Sequence, residues 1–255
     1  MIETGPGTVR EAARAGPLPL YDILPWQALG LTAGITGRGA GPDRGFDLGL
    51  WSDAPVGEVL SRWRTFRGVF PQFDAVILGS QVHGAEVRSV SAARGWVQMD
   101  GVDGWATTTA GLLLTVTLAD CIPVYLAVPG RGVALLHAGW RGTAAGILGR
   151  GLAALLEGTG AAVSDVIMHA GVGICGPCYE VGSEVVRGCG LPAAGRGPWH
   201  VDLRSVLLDQ AAGLGIGRTT SSTWCSAHDG PLFYSHRRSG GADGRMVAYL
   251  GIPAA

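Results

Sequence analysis

The chain has 255 residues, 47% of them hydrophobic and 15% charged, with a formal net charge of −1. It is long enough for one large domain or two small ones around a real core, and too apolar for a disordered chain. There is no lysine and no basic excess of the kind that nucleic-acid or anionic-membrane binders carry.

Residues 1–25 are rich in Gly, Pro and Ala and read as a loose N-terminal arm with one short helix, ahead of a single mixed α/β domain over 26–255. The opening stretch lacks the apolar segment of a signal peptide, so the cytoplasm is the expected compartment. GITGRGAGPDRGFDLGLW is glycine-dense, is broken by Pro42 and predicts a loop. GEVLSRWRTFR puts Val59, Leu60, Trp63 and Phe66 at helical spacing. DAVILGSQVHG predicts a buried strand with a polar tip at Gln81–His83. The longest uncharged run, GWATTTAGLLLTVTLA, carries five threonines and ends at Asp120. It is shorter than the roughly 20 apolar residues of a membrane span and predicts a buried strand instead. IPVYLAV and GVALLHAG form a strand–turn–strand pair around Pro129–Gly130. TAAGILGRGLAALLEG predicts a helix with Ile147, Leu148, Gly151, Leu152 and Leu155 on one face. DVIMHAGVGIC reads as a strand, DLRSVLLDQAAGLGI as an amphipathic helix capped by Asp202, and RMVAYLGI as a closing strand.

Three of these strands end in chemically capable side chains: His83, Cys121 and His137. Rigid scaffolds present chemistry at such ends. Two neutral imidazoles and one thiolate suit zinc, and three protein ligands leave a fourth position for water or substrate. Taken singly, a strand-end histidine is more often a polar tip and a lone cysteine a small core residue. GWRGTAAGIL runs from a strand tip through a glycine turn into a helix, so Arg141 and the helix-start amides offer a place for an anion. Asp120 adjoins Cys121 in extended chain, so its side chain points to the other face; it is a partner for a histidine or a structural group before it is a catalyst. There are five cysteines, at 121, 175, 178, 189 and 225, an odd number that favours free thiols or a metal site over a disulfide framework. Cys175-Gly-Pro-Cys178 reads as a tight loop lining the site, with redox or metal function as its rival, since no second pair at zinc-ribbon spacing follows. His236, Arg237 and Arg238 form a basic turn, solvated or anion-contacting.

SQVHG, LADCIPV, LLHAGWRGTAAGI, CGPCYEVG and FYSHRRSGG…GRM occur in that order. On these motifs the chain resembles the laccase-domain, or YfiH-like, family from about Gly34 to Leu250. The resemblance implies a mixed-sheet α/β sandwich of helix–sheet–helix type, related to a cysteine-hydrolase-like fold, with 26–255 as the catalytic domain. It implies zinc held by His83, Cys121 and His137, with copper the lesser choice. It also implies phosphorolysis of adenosine, inosine, guanosine and methylthioadenosine, with adenosine deamination as a further activity. Arg38 matches a family arginine. With Arg141, Gln81 and Asp120, it is a candidate for contacting nucleoside or phosphate. Where the family has Asn-Leu-Gly this chain has Asp47-Leu48-Gly49, and where it has Gly-Pro-Cys-Cys-Tyr this chain has Cys175-Gly-Pro-Cys178-Tyr179.

Three rivals use the same residues. In a metal-free cysteine hydrolase, such as a peptidoglycan-editing enzyme, Cys121 is nucleophile and His137 base. A copper polyphenol oxidase wants an axial methionine and His-x-His pairs, and the chain has only four methionines, six histidines and no His-x-His. A binding protein would keep an inert zinc pocket. The expected partners are a small nucleoside and phosphate, with no nucleic acid and no membrane, in a monomer or small homo-oligomer.

Overall fold

The computed structural model describes residues 7–40, 45–52 and 54–254. In chain order it forms β1 (Gly7–Val9), β2 (Ala12–Ala13), β3 (Leu20–Asp22), α1 (Leu24–Gln27), β4 (Thr32–Thr36) and α2 (Val56–Gly68). Then come β5 (Ala75–Ser80), β6 (Val87–Ser89), β7 (Gly95–Asp100), β8 (Gly104–Thr107), β9 (Leu112–Leu118), β10 (Ile122–Val128) and β11 (Gly132–Ala138). The remainder is α3 (Trp140–Ala144), α4 (Ile147–Thr159), β12 (Ile167–Ala170), β13 (Glu180–Val181), α5 (Ser183–Gly188), β14 (Trp199–His200), α6 (Leu203–Gly213), β15 (Arg218–Ser222), α7 (His236–Ser239) and β16 (Met246–Gly251).

Two seven-stranded mixed sheets dominate, in the orders β1-β15-β12-β10-β11-β8-β6 and β2-β3-β4-β16-β9-β5-β7. Strand β10 pairs antiparallel with β11 on one side and β12 on the other, and β9 lies between β16 and β5. Alternate side chains explain how the sheets stack. Tyr125, Ala127, Val133 and Leu135 of the first sheet share one core with Leu114, Val116, Ala248 and Leu250 of the second. Val124, Leu126 and Leu136 turn the other way onto Ile147, Leu152, Val206 and Leu207 of α4 and α6. Trp63 and Phe66 of α2 cover the far face of the second sheet against Val76, Leu113 and Val247. The mixed-sheet α/β sandwich expected from the resemblance is therefore present, with a second sheet between its helical layers. Strands buried on both faces need no polar alternation, which is why IPVYLAV and GVALLHA are so nearly continuous in apolar residues.

Several local expectations change. Residues 7–22 are not loose: β1 pairs parallel with β15, and β3 pairs with β4 inside the second sheet. The expected loop begins later, because Gly34–Thr36 belong to β4; Pro42 lies outside the described residues. Leu60 is 39% exposed, so the buried stripe of α2 is Val59, Trp63 and Phe66. The helix expected over 143–158 is two helices, broken at Gly146, whose φ of 77° only glycine adopts without strain. Its apolar face is as expected. Asp202 caps α6 by accepting from the N–H groups of Arg204 and Ser205. No helix among the described residues is long and apolar enough to cross a membrane.

The N-terminal segment is anchored by a buried polar group. Glu11, 1% exposed, accepts from Ser222 Oγ at 2.7 Å through one carboxylate oxygen and lies 3.0 Å from His169 Nε2 through the other. Glu11→Ala takes the acceptor away from the buried Ser222 hydroxyl and from His169 Nε2, which should lower stability by about 3 kcal/mol. A urea midpoint unchanged from the parent protein would show that this anchor contributes nothing.

Candidate active site

The topology brings three strand ends together. His137 is the penultimate residue of β11, opposite Pro123 of β10. It has the same parity as Val133 and Leu135, so it faces the space between the sheets. Cys121 immediately precedes β10. His83 sits in the turn that follows β5, at a φ of 60°. The ligand atoms of His83, Cys121 and His137 all lie within 4.8 Å of one another, with His83 exposed, Cys121 half-buried and His137 buried. Gly139 makes this approach possible, since a Cβ there would lie 3.0 Å from Cys121 Sγ and 3.3 Å from His83 Cδ2.

Asp103, wholly buried, holds the arrangement. Its carboxylate accepts from the backbone N–H groups of His83 at 2.9 Å and Gly84 at 2.8 Å, with Val82 at 3.3 Å. It also lies 2.9 Å from His137 Nδ1, while its carbonyl accepts the His137 N–H at 2.8 Å. Burial would raise the Asp103 carboxyl, but the His137 bond and the Gly84 and Val82 amides hold it below its usual range. With Nδ1 on Asp103, the His137 Nε2 is left for Cys121 or a metal. Burial would likewise raise the Cys121 thiol; the charge and hydrogen bond of His137, then those of His83, bring it down to about 6. Burial would lower His137, and the Cys121 thiolate with Asp103 raises it to about 9.

The cluster opens into a cavity of about 680 Å³, within the range of small-molecule sites. Arg141, Arg237 and Arg245 are on its wall, with Trp140 and Tyr179. The guanidinium of Arg141, on α3, makes no hydrogen bond among the described residues; it lies 4.6 Å from the centre of the neighbouring Trp140 ring. Arg237 Nη1 donates to the Glu180 carbonyl. Arg245 is fixed through Asp47, whose Oδ1 accepts the N–H groups of Gly49 and Arg245 at 2.8 Å each. That explains an aspartate at this position: it is a buried acceptor for a loop, with no amide donor needed.

The other sequence candidates fall differently. Gln81 lines the cavity, but its amide is engaged on β9, donating to the Thr117 carbonyl and accepting from the Thr117 N–H, both at 2.7 Å. Asp120, at a φ of 87°, also lines it, and its carboxylate accepts from Ser226 Oγ and the Arg237 N–H, both at 2.6 Å. The carboxylate on the histidine is that of Asp103, so Asp120 is a clamp on α7. Arg38 is not among the residues lining the cavity; it pairs with Asp243 and the Gly230 carbonyl. The Cys175–Cys178 turn contributes its neighbours Ile174 and Tyr179 to the wall. Sequence reasoning missed Asp103, Arg245 and the pair Cys225 and His228. Among these only the last left a readable signal, a Cys-x-x-His spacing that matches the Cys-x-x-Cys.

The donor set fits a transition metal. Two imidazoles and a thiolate converge, one imidazole is oriented by a carboxylate, and the remaining side faces the cavity. No methionine, the common axial ligand of a blue-copper centre, lines the cavity among the described residues.

Residues 30–253 match the family described as multi-copper polyphenol oxidoreductase laccase. The purine nucleoside phosphorylase YlmD of Geobacillus stearothermophilus is 35% identical over 243 residues, covering 87% of this chain and 89% of that protein. A purine nucleoside phosphorylase of Deinococcus radiodurans is 36% identical over 226 residues, covering 85% and 86%. A crystal structure of YlmD from Geobacillus stearothermophilus superposes with a TM-score of 0.84 at 30% identity, over 96% of this chain and 100% of that one. The hypothetical protein YfiH of Bacillus licheniformis also gives 0.84, at 26% identity, over 94% and 99%.

The thiolate is the form that iodoacetamide attacks. In chelator-stripped protein, alkylation of Cys121 should therefore rise with pH through a midpoint near 6. Peptide mapping separates Cys121 from the other thiols, and a midpoint of about 8.5, that of an ordinary cysteine, would mean that the two histidines do not hold the thiolate.

Proposed function

The chain belongs to the multi-copper polyphenol oxidoreductase laccase family, and on that premise we propose that it is a zinc-dependent purine nucleoside phosphorylase acting on adenosine, inosine, guanosine and methylthioadenosine. The observation that carries the reading is one cavity with a His–Cys–His cluster at one side and three arginines on its wall. Phosphorolysis needs both a place for a phosphate and a polarising centre near a neutral nucleoside.

His83, Cys121 and His137 would hold the zinc, which when bound supplies Lewis-acid charge at the open side of the cluster. Asp103 keeps the His137 ring in one orientation with Nε2 inward. Arg141, Arg237 and Arg245 draw in phosphate and neutralise it while its oxygen bonds to the anomeric carbon of the ribose. The bond from that carbon to the purine nitrogen breaks, and its electron pair leaves with the base. Such displacements pass through an oxocarbenium-like state, so positioning and electrostatics supply the rate. Tyr179 and Trp140 give the nucleoside an apolar wall and exclude water. Adenosine deamination is a second reaction available to the same centre, and it differs in needing water in place of phosphate.

A second reading rests on the Cys121–His137–Asp103 series. Without metal it is a thiolate–imidazolium pair oriented by a carboxylate, the arrangement of a cysteine hydrolase. Metal dependence separates the two.

Metal-quantified protein incubated with adenosine should release adenine and ribose 1-phosphate only when phosphate is present. Cys121→Ala should abolish that turnover, and turnover that survives it would end the reading. Phosphate-independent inosine would point to deamination, and activity that persists after chelation but is lost to iodoacetamide would point to the hydrolase. Arg141→Ala should raise the KM for phosphate about 10- to 100-fold, the worth of one charge-assisted contact. An unchanged phosphate KM would remove Arg141 from the anion site.

A further inference from the structure

Away from the cavity, two turns bring four more ligand atoms together. The first is Cys175-Gly-Pro-Cys178, a 3₁₀ turn in which the Cys178 N–H donates to the Cys175 carbonyl at 3.1 Å. The second is Cys225-Ser-Ala-His228, which follows β15. A bridge between Gly173 and Cys225 and a bond from the Ser226 N–H to the Gly173 carbonyl at 3.0 Å hold the two turns face to face. The sulfurs of Cys175, Cys178 and Cys225 and a ring nitrogen of His228 all lie within 4.8 Å of one another. Cys175 Sγ is 3.4 Å from His228 Nδ1. None of the four lines the cavity.

We infer that Cys175, Cys178, Cys225 and His228 form a second, closed metal site that takes a structural zinc ion. Tetrahedral zinc, with bonds of about 2.3 Å to sulfur and 2.0 Å to nitrogen, sets sulfur–nitrogen edges at about 3.5 Å and sulfur–sulfur edges at about 3.8 Å. From separations of at most 4.8 Å, the four atoms therefore need to contract by no more than about 1.3 Å. Three cysteines and a histidine complete the coordination from the chain alone, which is the pattern of a structural site and leaves no position for substrate.

The backbone is already arranged around such an ion. Cys225 Sγ accepts the N–H groups of Cys175 at 3.3 Å and His228 at 3.4 Å, the outer-shell bonding that orients a metal thiolate. Asp229 Oδ2 accepts the Cys225 N–H at 2.9 Å and stiffens the second turn. A redox dithiol needs two sulfurs; here a third thiol and an imidazole share the same space. The ion would staple two loops that are distant in sequence, and both touch Asp120. Ser226 donates to its carboxylate, and the Ile174 N–H donates to its carbonyl at 2.9 Å. The proposal does not rest on nucleoside chemistry.

The test counts metal in the full-length protein by plasma mass spectrometry. The parent should carry two zinc equivalents, and Cys225→Ser and His228→Ala should each carry one. His228 is exposed, so its truncation should leave the far-ultraviolet circular dichroism intact. His228→Cys should restore the lost equivalent by completing a four-cysteine site. Cobalt loaded into Cys121→Ala protein should give strong thiolate-to-cobalt absorption that disappears when His228→Ala is added. A single equivalent retained in Cys121→Ala and lost in His228→Ala would still support this site while removing zinc from the cavity cluster. A metal content that neither Cys225→Ser nor His228→Ala lowers would overturn the proposal. So would an intact mass two hydrogens light with the disulfide mapped among Cys175, Cys178 and Cys225.

Discussion

The Asp103 carboxylate is the constraint on which the site depends. It is buried without exposure, and its acceptors face the amides of the 82–84 turn and the ring of His137. A non-glycine residue in the left-handed region costs about 1–2 kcal/mol, and His83 is held there at a φ of 60°. Hydrogen bonds to a charged acceptor contribute about 1.5–3 kcal/mol each, so the bonds to this turn outweigh the strain. The same anion fixes the tautomer of His137, leaving its other nitrogen toward Cys121. One buried carboxylate thus holds the backbone at His83 and the ring of His137, which come from segments far apart in the chain.

The sheets supply the rigidity that makes this orientation useful. Strands β10 and β11 are buried along their whole lengths, and their register places His137 across from Pro123. A slip of one residue would turn His137 toward the helical layer and put Leu136 between the sheets. The close approach of Gly139 to Cys121 and His83, and of Gly142 to the Gly84 carbonyl, allows α3 to start directly at the cluster. Arg141 is carried on that short helix, which explains how a cation lining the cavity comes to stand beside the metal-capable groups.

The cluster itself was legible because each member ends an apolar run, and an apolar run closing on His or Cys stands out. The helix of 147–155 and the cap at Asp202 were legible for the same reason, being local patterns. Asp103 was not, since VDGW has no periodicity to mark it and its importance comes only from pairing across the sheet. Strands β6, β7 and β15 are short or threonine-rich and partly exposed, β1 is defined by a partner late in the chain, and β3 is only three residues long. The Cys-x-x-Cys was visible without its complement, because the second pair ends in His and lies beyond zinc-ribbon spacing. Its closure depends on Gly173 meeting Cys225, a contact no local pattern encodes.

Asp120 joins these parts. Its positive φ breaks the path from β9 to β10, so it does not simply point away from Cys121 as an extended residue would. Its carboxylate instead joins the Ser226 hydroxyl to the first turn of α7, where the Arg237 side chain reaches the cavity. Cys121 is the next residue in the chain. Cys121 and Arg237 are therefore tied to one buried carboxylate, and that carboxylate is held by the loop containing Cys225 and His228. Loosening this loop would act on Arg237 first, because Cys121 keeps its own supports in β10 and in the two histidines. The molecule thus separates two tasks: Asp103 sets the geometry of the His–Cys–His cluster, and Asp120 sets where Arg237 stands relative to it.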